Sequence, residues 1–110
     1  MKTFCNIQIK EKGVLGYVPK QVEVLQSFDL EGRTWVIHET HKGELSWADS
    51  DYLFTVSDYK TGALVSKGRT IEEAIQKAKS KIKSNSGFDY VAFEKTHGTV
   101  NTGGLQFKLI

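Results

Sequence analysis

The stretch from Tyr52 to Ser84, YLFTVSDYKTGALVSKGRTIEEAIQKAKSKIKS, decides the fold class. Tyr52 to Asp58 is rich in β-branched and aromatic residues and reads as a strand. Asp58-Tyr59-Lys60-Thr61-Gly62 places glycine where a hairpin loop needs positive φ, a type I turn closing on a bulge. Ala63 to Lys67 returns as the partner strand. Thr70-Ile71-Glu72-Glu73 then fits a capping box, with Thr70 as the helix cap and Glu73 reaching back. Ile71, Ala74, Ile75, Ala78 and Ile82 recur at helical spacing and give the helix one apolar face. Full burial of its three isoleucines is worth roughly 2 kcal/mol each. Asn85 and Gly87 are its stop signals.

Upstream, residues 3 to 10 alternate, with Cys5, Ile7 and Ile9 on one side and Asn6, Gln8 and Lys10 on the other. Gly13, Gly16 and Pro19 mark a break. Val22, Val24 and Phe28 suggest one further strand. Glu31-Gly32 is a turn signal before a third, Arg33 to Thr40. Lys42 to Ser50 reads as a polar loop containing Trp47. Downstream, Tyr90 to Lys95 reads as a strand, Thr96 to Gly104 as a glycine-rich loop, and Leu105, Phe107 and Leu109 as a last alternating strand. The expectation is a single α+β domain over residues 1–110. A mostly antiparallel sheet carries one main helix, about residues 71–84, on one face.

The chain has 110 residues, with 39% apolar, 25% charged and 11% aromatic side chains, the balance of a folded domain. Its net charge of +2 neither demands nor excludes nucleic acid. A lone cysteine, Cys5, allows no intrachain disulfide and suits a reducing compartment. The first residues lack a signal peptide's apolar run, and no stretch approaches membrane-spanning length. The expected location is the cytoplasm, without membrane contact.

Each candidate for chemistry has a plainer reading. His38-Glu39-Thr40-His41 lacks the one-turn histidine spacing of a zincin, and on a strand its two histidines fall on opposite faces. They read as exposed or hydrogen-bonded strand-end side chains, and no metal or cofactor is expected. Cys5 sits among strand isoleucines and reads as core. Trp35 and Phe54 read as core as well. Lys77, Lys79, Lys81 and Lys83 project in two rows flanking the apolar stripe, the pattern of a solvated rim rather than of a groove-binding stripe. The 96–104 loop matches no Walker pattern, but it is where a small anion would bind, through Lys95, His97, Asn101 and Gly103. Trp47 and Tyr59, an aromatic in a loop and one in a turn, read as partner contacts together with Asp49 and Asp51. Trp47 can equally close over the sheet as core.

Phe54 to Asp58, followed by Gly68-Arg69-Thr70-Ile71-Glu72-Glu73-Ala74 opening a helix, resembles the second half of a HicB-type antitoxin domain. Gly68, Thr70, Glu73 and Ala74 carry the match, over about a quarter of the chain. The family's Pro-Asp and compact N-terminal half have no counterpart here. The resemblance implies a partial ribonuclease-H-like sheet that binds and blocks a small toxin. In size and composition the chain is also similar to small accessory proteins of Gram-positive phages and mobile elements. The leading expectation is a non-catalytic protein that occludes a host protein. A small-anion sequestering protein and a nucleic-acid module using the helix lysines stand as alternatives. Self-association through an edge such as Leu105 to Ile110 is a further expectation.

Overall fold

The computed structural model describes residues 3–9, 16–41, 53–84 and 90–101. They form α+β architecture with six antiparallel strands in two sheets and two helices. β1 (Thr3–Ile9) and β2 (Val18–Val24) pair with each other. β3 (Gln26–Leu30), β4 (Arg33–Glu39), β5 (Phe54–Asp58) and β6 (Leu64–Gly68) form a four-stranded sheet in that spatial order. α1 (Ile71–Ser84) follows β6, and α2 is Tyr90–His97.

Cross-strand partners share a face, so the register sorts the four-stranded sheet into two. Trp35 opposite Asp58 and Ile37 opposite Val56 face the helices. Val36 opposite Ser57 and His38 opposite Thr55 face the other way. On the helix side Trp35, Ile37, Val56, Val65, Ala74 and Ala78 form one buried cluster. On the reverse, Val36 packs with Cys5 and Val24, so the β1–β2 pair forms a third layer that one helix against one sheet does not provide.

The expected single strand through Val22, Val24 and Phe28 is two. It turns a corner at Leu25, whose amide still donates to the Ile37 carbonyl at 2.8 Å. Parity is unbroken across this corner, which is why the sequence hides it. Val22 and Val24 face the underside of the four-stranded sheet, whereas Phe28 and Leu30 face α1. The turn after β3 is Glu31-Gly32, with both residues at positive φ (54° and 73°), the backbone that fits a two-residue hairpin.

The expected hairpin and capped helix are present. The β5–β6 register shifts between Val56 and Ser57, and Gly62 closes the turn at φ 70°. A β-carbon on Gly62 would lie 2.7 Å from the Gln8 amide nitrogen, because β1 crosses directly over this turn. Thr70 caps α1, its hydroxyl accepting from the Glu73 amide at 3.0 Å. The Glu73 carboxylate is held down chiefly by hydrogen bonding to Lys77. The helix docks through its small residues: Ala74 and Ala78 are fully buried, while Ile71, Ile75 and Ile82 are half-buried flanks. The isoleucines therefore contribute less than full burial would give.

One expected element is overturned. Tyr90 to Lys95 belongs to α2, not to a strand. Tyr90, Phe93 and Glu94 recur at helical spacing and each finds a partner: Tyr90 packs edge-on against Trp35, Phe93 against Tyr17, and Glu94 accepts from Arg33. Gly98 at φ 76° ends the helix, its amide donating to the Glu94 carbonyl at 2.7 Å. Thr96 and His97 consequently close a helix rather than open a loop. The expected loop at 42–50, the α1 stop signals Asn85 and Gly87, and the 105–109 strand lie outside the described residues.

Gly68 joins β6 to the helix by contact rather than by φ. A β-carbon there would meet the Ala74 nitrogen at 2.5 Å and the Ala74 α-carbon at 2.9 Å. These are backbone atoms and cannot swing aside. Gly68→Ala should lower the unfolding free energy by about 3 kcal/mol through overpacking. The measurement is the urea midpoint at constant slope; an unchanged midpoint would show that strand and helix are not in such close approach.

Candidate functional site

The polar residues that looked capable of chemistry are mostly turned inward. Asp58, 1% exposed, sits at the end of β5. Arg33, at the start of β4, grips it with two bonds, Nε to Oδ1 at 3.0 Å and Nη2 to Oδ2 at 2.8 Å. The Thr61 hydroxyl donates to Oδ2 at 2.6 Å, and the Thr61 amide donates to it at 3.3 Å. Arg33 Nη2 also donates to Glu94 on α2 at 3.0 Å. Hydrogen bonding to Asp58 raises the pKa of the Arg33 guanidinium further. Burial, with the Asp58 charge adding and Arg33 opposing, pushes the nearby Tyr90 phenol up to about 12.

His38 lies on the opposite face, fully buried. Its Nδ1 is 2.7 Å from the Glu39 carbonyl, which only accepts, so Nδ1 carries the proton. Nε2 then accepts from the Ser57 hydroxyl at 2.9 Å. These are the atoms of a nucleophile and its base. Both side chains are sealed at 0% exposure, so no substrate reaches them, and the pair instead stitches β4 to β5. Burial holds the His38 imidazole down to about 4, with the charge of His41 adding and the Glu39 carbonyl opposing. Cys5 is likewise core, its thiol pushed up to about 12 by burial.

Asn101 belongs to a third internal set. Its Oδ1 accepts from the Asn6 amide at 2.8 Å, and its Nδ2 donates to the Asn6 carbonyl at 2.8 Å and to the Tyr59 carbonyl at 2.6 Å. One side-chain amide thus stands in for a neighbouring strand along the outer edge of β1. The Gln8 amide on that edge donates to the Gly62 carbonyl at 2.9 Å.

Of the partner contacts expected from sequence, Tyr59 is half-buried against Cys5, Val24 and Val36, while Trp47, Asp49 and Asp51 lie outside the described residues. Of the anion set, Lys95 is exposed on α2, His97 ends that helix, Asn101 is engaged as above, and Gly103 lies outside the described residues.

Two surface features were missed. A groove of about 490 Å³ is lined by Val22, Glu23, Leu25, Glu39, Thr40 and His41, where the strand corner meets the end of β4. A second, of about 460 Å³, runs between β6 and α1 and is lined by Leu64, Ser66, Lys67, Lys77, Ser80 and Lys81. The helix lysines split as their two rows predict. Lys81 donates to the Val65 carbonyl at 2.9 Å on the β6 edge, whereas Lys79 lies 5.6 Å from the Phe28 ring on β3, the opposite edge.

Among the described residues no cluster of three or more His, Cys, Asp or Glu is placed to hold a metal ion. No described helix is long and apolar enough to cross a membrane. No family model, curated protein or solved structure significantly matches the chain.

The His38 site makes a pH prediction. An imidazole titrating near 6.5 when unfolded and near 4 when folded binds more protons in the unfolded state between those values. Stability is therefore full above about pH 6.5 and falls as the pH drops through this window, by about 3 kcal/mol in all. Urea titrations at pH 7 and pH 4 should show that loss, and His38→Gln should flatten the 4 to 6.5 segment. An identical pH slope in wild type and variant would remove His38 from the account.

Proposed function

We propose that the chain is a non-catalytic binding protein that acts by occluding a protein partner, as an accessory or inhibitory protein of a phage or mobile element would. The observation that carries this reading is the groove between β6 and α1, where three lysines and the part-exposed Leu64 gather at a sheet edge. Charged rims around an apolar contact are what protein interfaces use for recognition. The inward use of His38, Ser57, Asp58 and Cys5 supports the same reading, because these groups serve the scaffold. The resemblance to HicB-type antitoxins points in this direction too, toward a sheet that binds and blocks.

The alternatives receive less support. The lysines of α1 diverge to opposite sheet edges instead of forming one stripe for a nucleic-acid backbone. The Asn101 amide, central to an anion site in the 96–104 segment, is already engaged with Asn6 and Tyr59.

The test compares affinity capture from host lysate by wild type, by Lys67→Glu/Lys77→Glu and by the control Lys95→Glu. A discrete protein retained by wild type and the control, and lost by the double variant, is the expected outcome. Retention that nuclease treatment abolishes would contradict the proposal.

A further inference from the structure

We propose that two copies of this chain pair antiparallel through the outer edge of β3, with Phe28 of each copy on the two-fold axis. This goes beyond the binding reading above and does not rest on it. The sheet order places β3 at an edge, and among the described residues no strand lies beyond it. Which of its backbone groups point outward follows from the turn. Glu31 and Gly32, both at positive φ, make a two-residue hairpin whose flanking residues, Leu30 and Arg33, form a hydrogen-bonded pair. Alternation then turns the backbone groups of Phe28 and Leu30 toward β4, and those of Ser27 and Asp29 away from it. β4 agrees with this parity. Its Thr34 carbonyl accepts from the Tyr59 amide beyond β5, and its Ile37 carbonyl accepts from the Leu25 amide on the β3 side. Ser27 and Asp29 are exposed, and among the described residues their outward backbone groups have no partner. The β1 edge is different, because Asn101 and the Gly62 carbonyl satisfy Asn6 and Gln8 there.

The spacing of the outward residues specifies the occupant and its register. Phe28 set opposite Phe28 places Ser27 of each copy against Asp29 of the other, so every outward N–H meets an outward C=O. Sliding one strand by two residues sets Asp29 against Asp29, which opposes like charges, or carries it past the strand to the Leu25 corner. The side chains fit the matched register too. Asp29 accepts from the Thr34 hydroxyl at 2.7 Å through Oδ1, and its Oδ2 is an acceptor for the Ser27 hydroxyl of the second copy. Phe28 is half-buried, with the Lys79 ammonium 5.6 Å from its ring on the α1 side, and the second copy's ring adds an aromatic pair across the edge. The contact is isologous, and it makes one continuous sheet in the order β6-β5-β4-β3-β3-β4-β5-β6.

The experiment is sedimentation equilibrium of the full chain at concentrations up to about 1 mM, with amide hydrogen exchange read at both ends of the range. So short a contact should give a monomer–dimer equilibrium with Kd on the order of 100 μM. Exchange at Ser27 and Asp29 should slow as the dimer forms. Ser27→Pro removes an outward N–H and spares the β3–β4 ladder, so it should fold and stay monomeric. Ser27→Asp opposes like charges at two symmetric places and should weaken association roughly tenfold. Ser27→Asp/Asp29→Ser exchanges the two side chains and should restore it. The aspartate variants decide the matter on their own if the proline variant fails to fold. A chain that stays monomeric throughout, a dimer that Ser27→Asp leaves unchanged, or a loss that the exchanged pair does not rescue would overturn the proposal.

Discussion

A carboxylate removed from water must be paired, and Asp58 is removed almost completely. Arg33 meets it with both arms of the guanidinium, in the planar geometry that binds a carboxylate best. This pair organises the fold because of where its members stand. Arg33 opens β4 directly after the Glu31-Gly32 turn, and Asp58 closes β5 directly before the Thr61-Gly62 turn. Thr61 adds its hydroxyl and amide to the same carboxylate, so the turn is held by the charge it adjoins. Glu94 extends the network to α2, whose Tyr90 covers Trp35 beside it. Two hairpin ends and a helix are thereby fixed at one point.

Around that point the layers depend on close approach more than on bulk. Gly68 and Ala74 let strand and helix backbones meet, and Gly62 lets β1 cross the β5–β6 turn. The Gly62 crossing also closes the β1 edge, because it brings the Gln8 amide to the Gly62 carbonyl while Asn101 holds Asn6. Packing, turn geometry and edge protection are in this region one arrangement of backbone atoms.

Much of this was legible in the sequence, and the misses have physical causes. The β5–β6–α1 unit was readable because turn glycine, capping box and helical period agreed over a continuous stretch. Cys5 and Trp35 were assignable to the core by type and alternation. The α2 helix was not, because tyrosine, valine and phenylalanine favour strands locally, while Trp35, Tyr17 and Arg33, far away in sequence, select the helical spacing. Gly98 was the one local sign of a helix end. The corner at Leu25 left no mark because alternation runs through it. Asp58 read as a turn residue, and nothing nearby in sequence announces its partner 25 residues earlier. Asn101 looked available for a ligand because its partner, the backbone of Asn6, lies 95 residues away. The lysine-lined groove needed the strand and helix rows to be seen side by side.

Among the described residues the interior polar groups serve the scaffold, apart from the buried Gln8 Oε1, which has no hydrogen-bond partner, while lysines line the groove at the sheet edge. That division depends on Asp58 and Arg33 acting as a coupled pair, and a double-mutant cycle of Arg33→Met and Asp58→Asn measures the coupling directly. Arg33→Met leaves Asp58 buried without its counter-charge and should cost about 3 kcal/mol or more; Asp58→Asn leaves Arg33 paired with Glu94 and should cost less. The double variant should cost well under the sum, giving a coupling of at least about 2 kcal/mol. Additive losses, or single variants as stable as wild type, would contradict the claim that this pair holds the fold together.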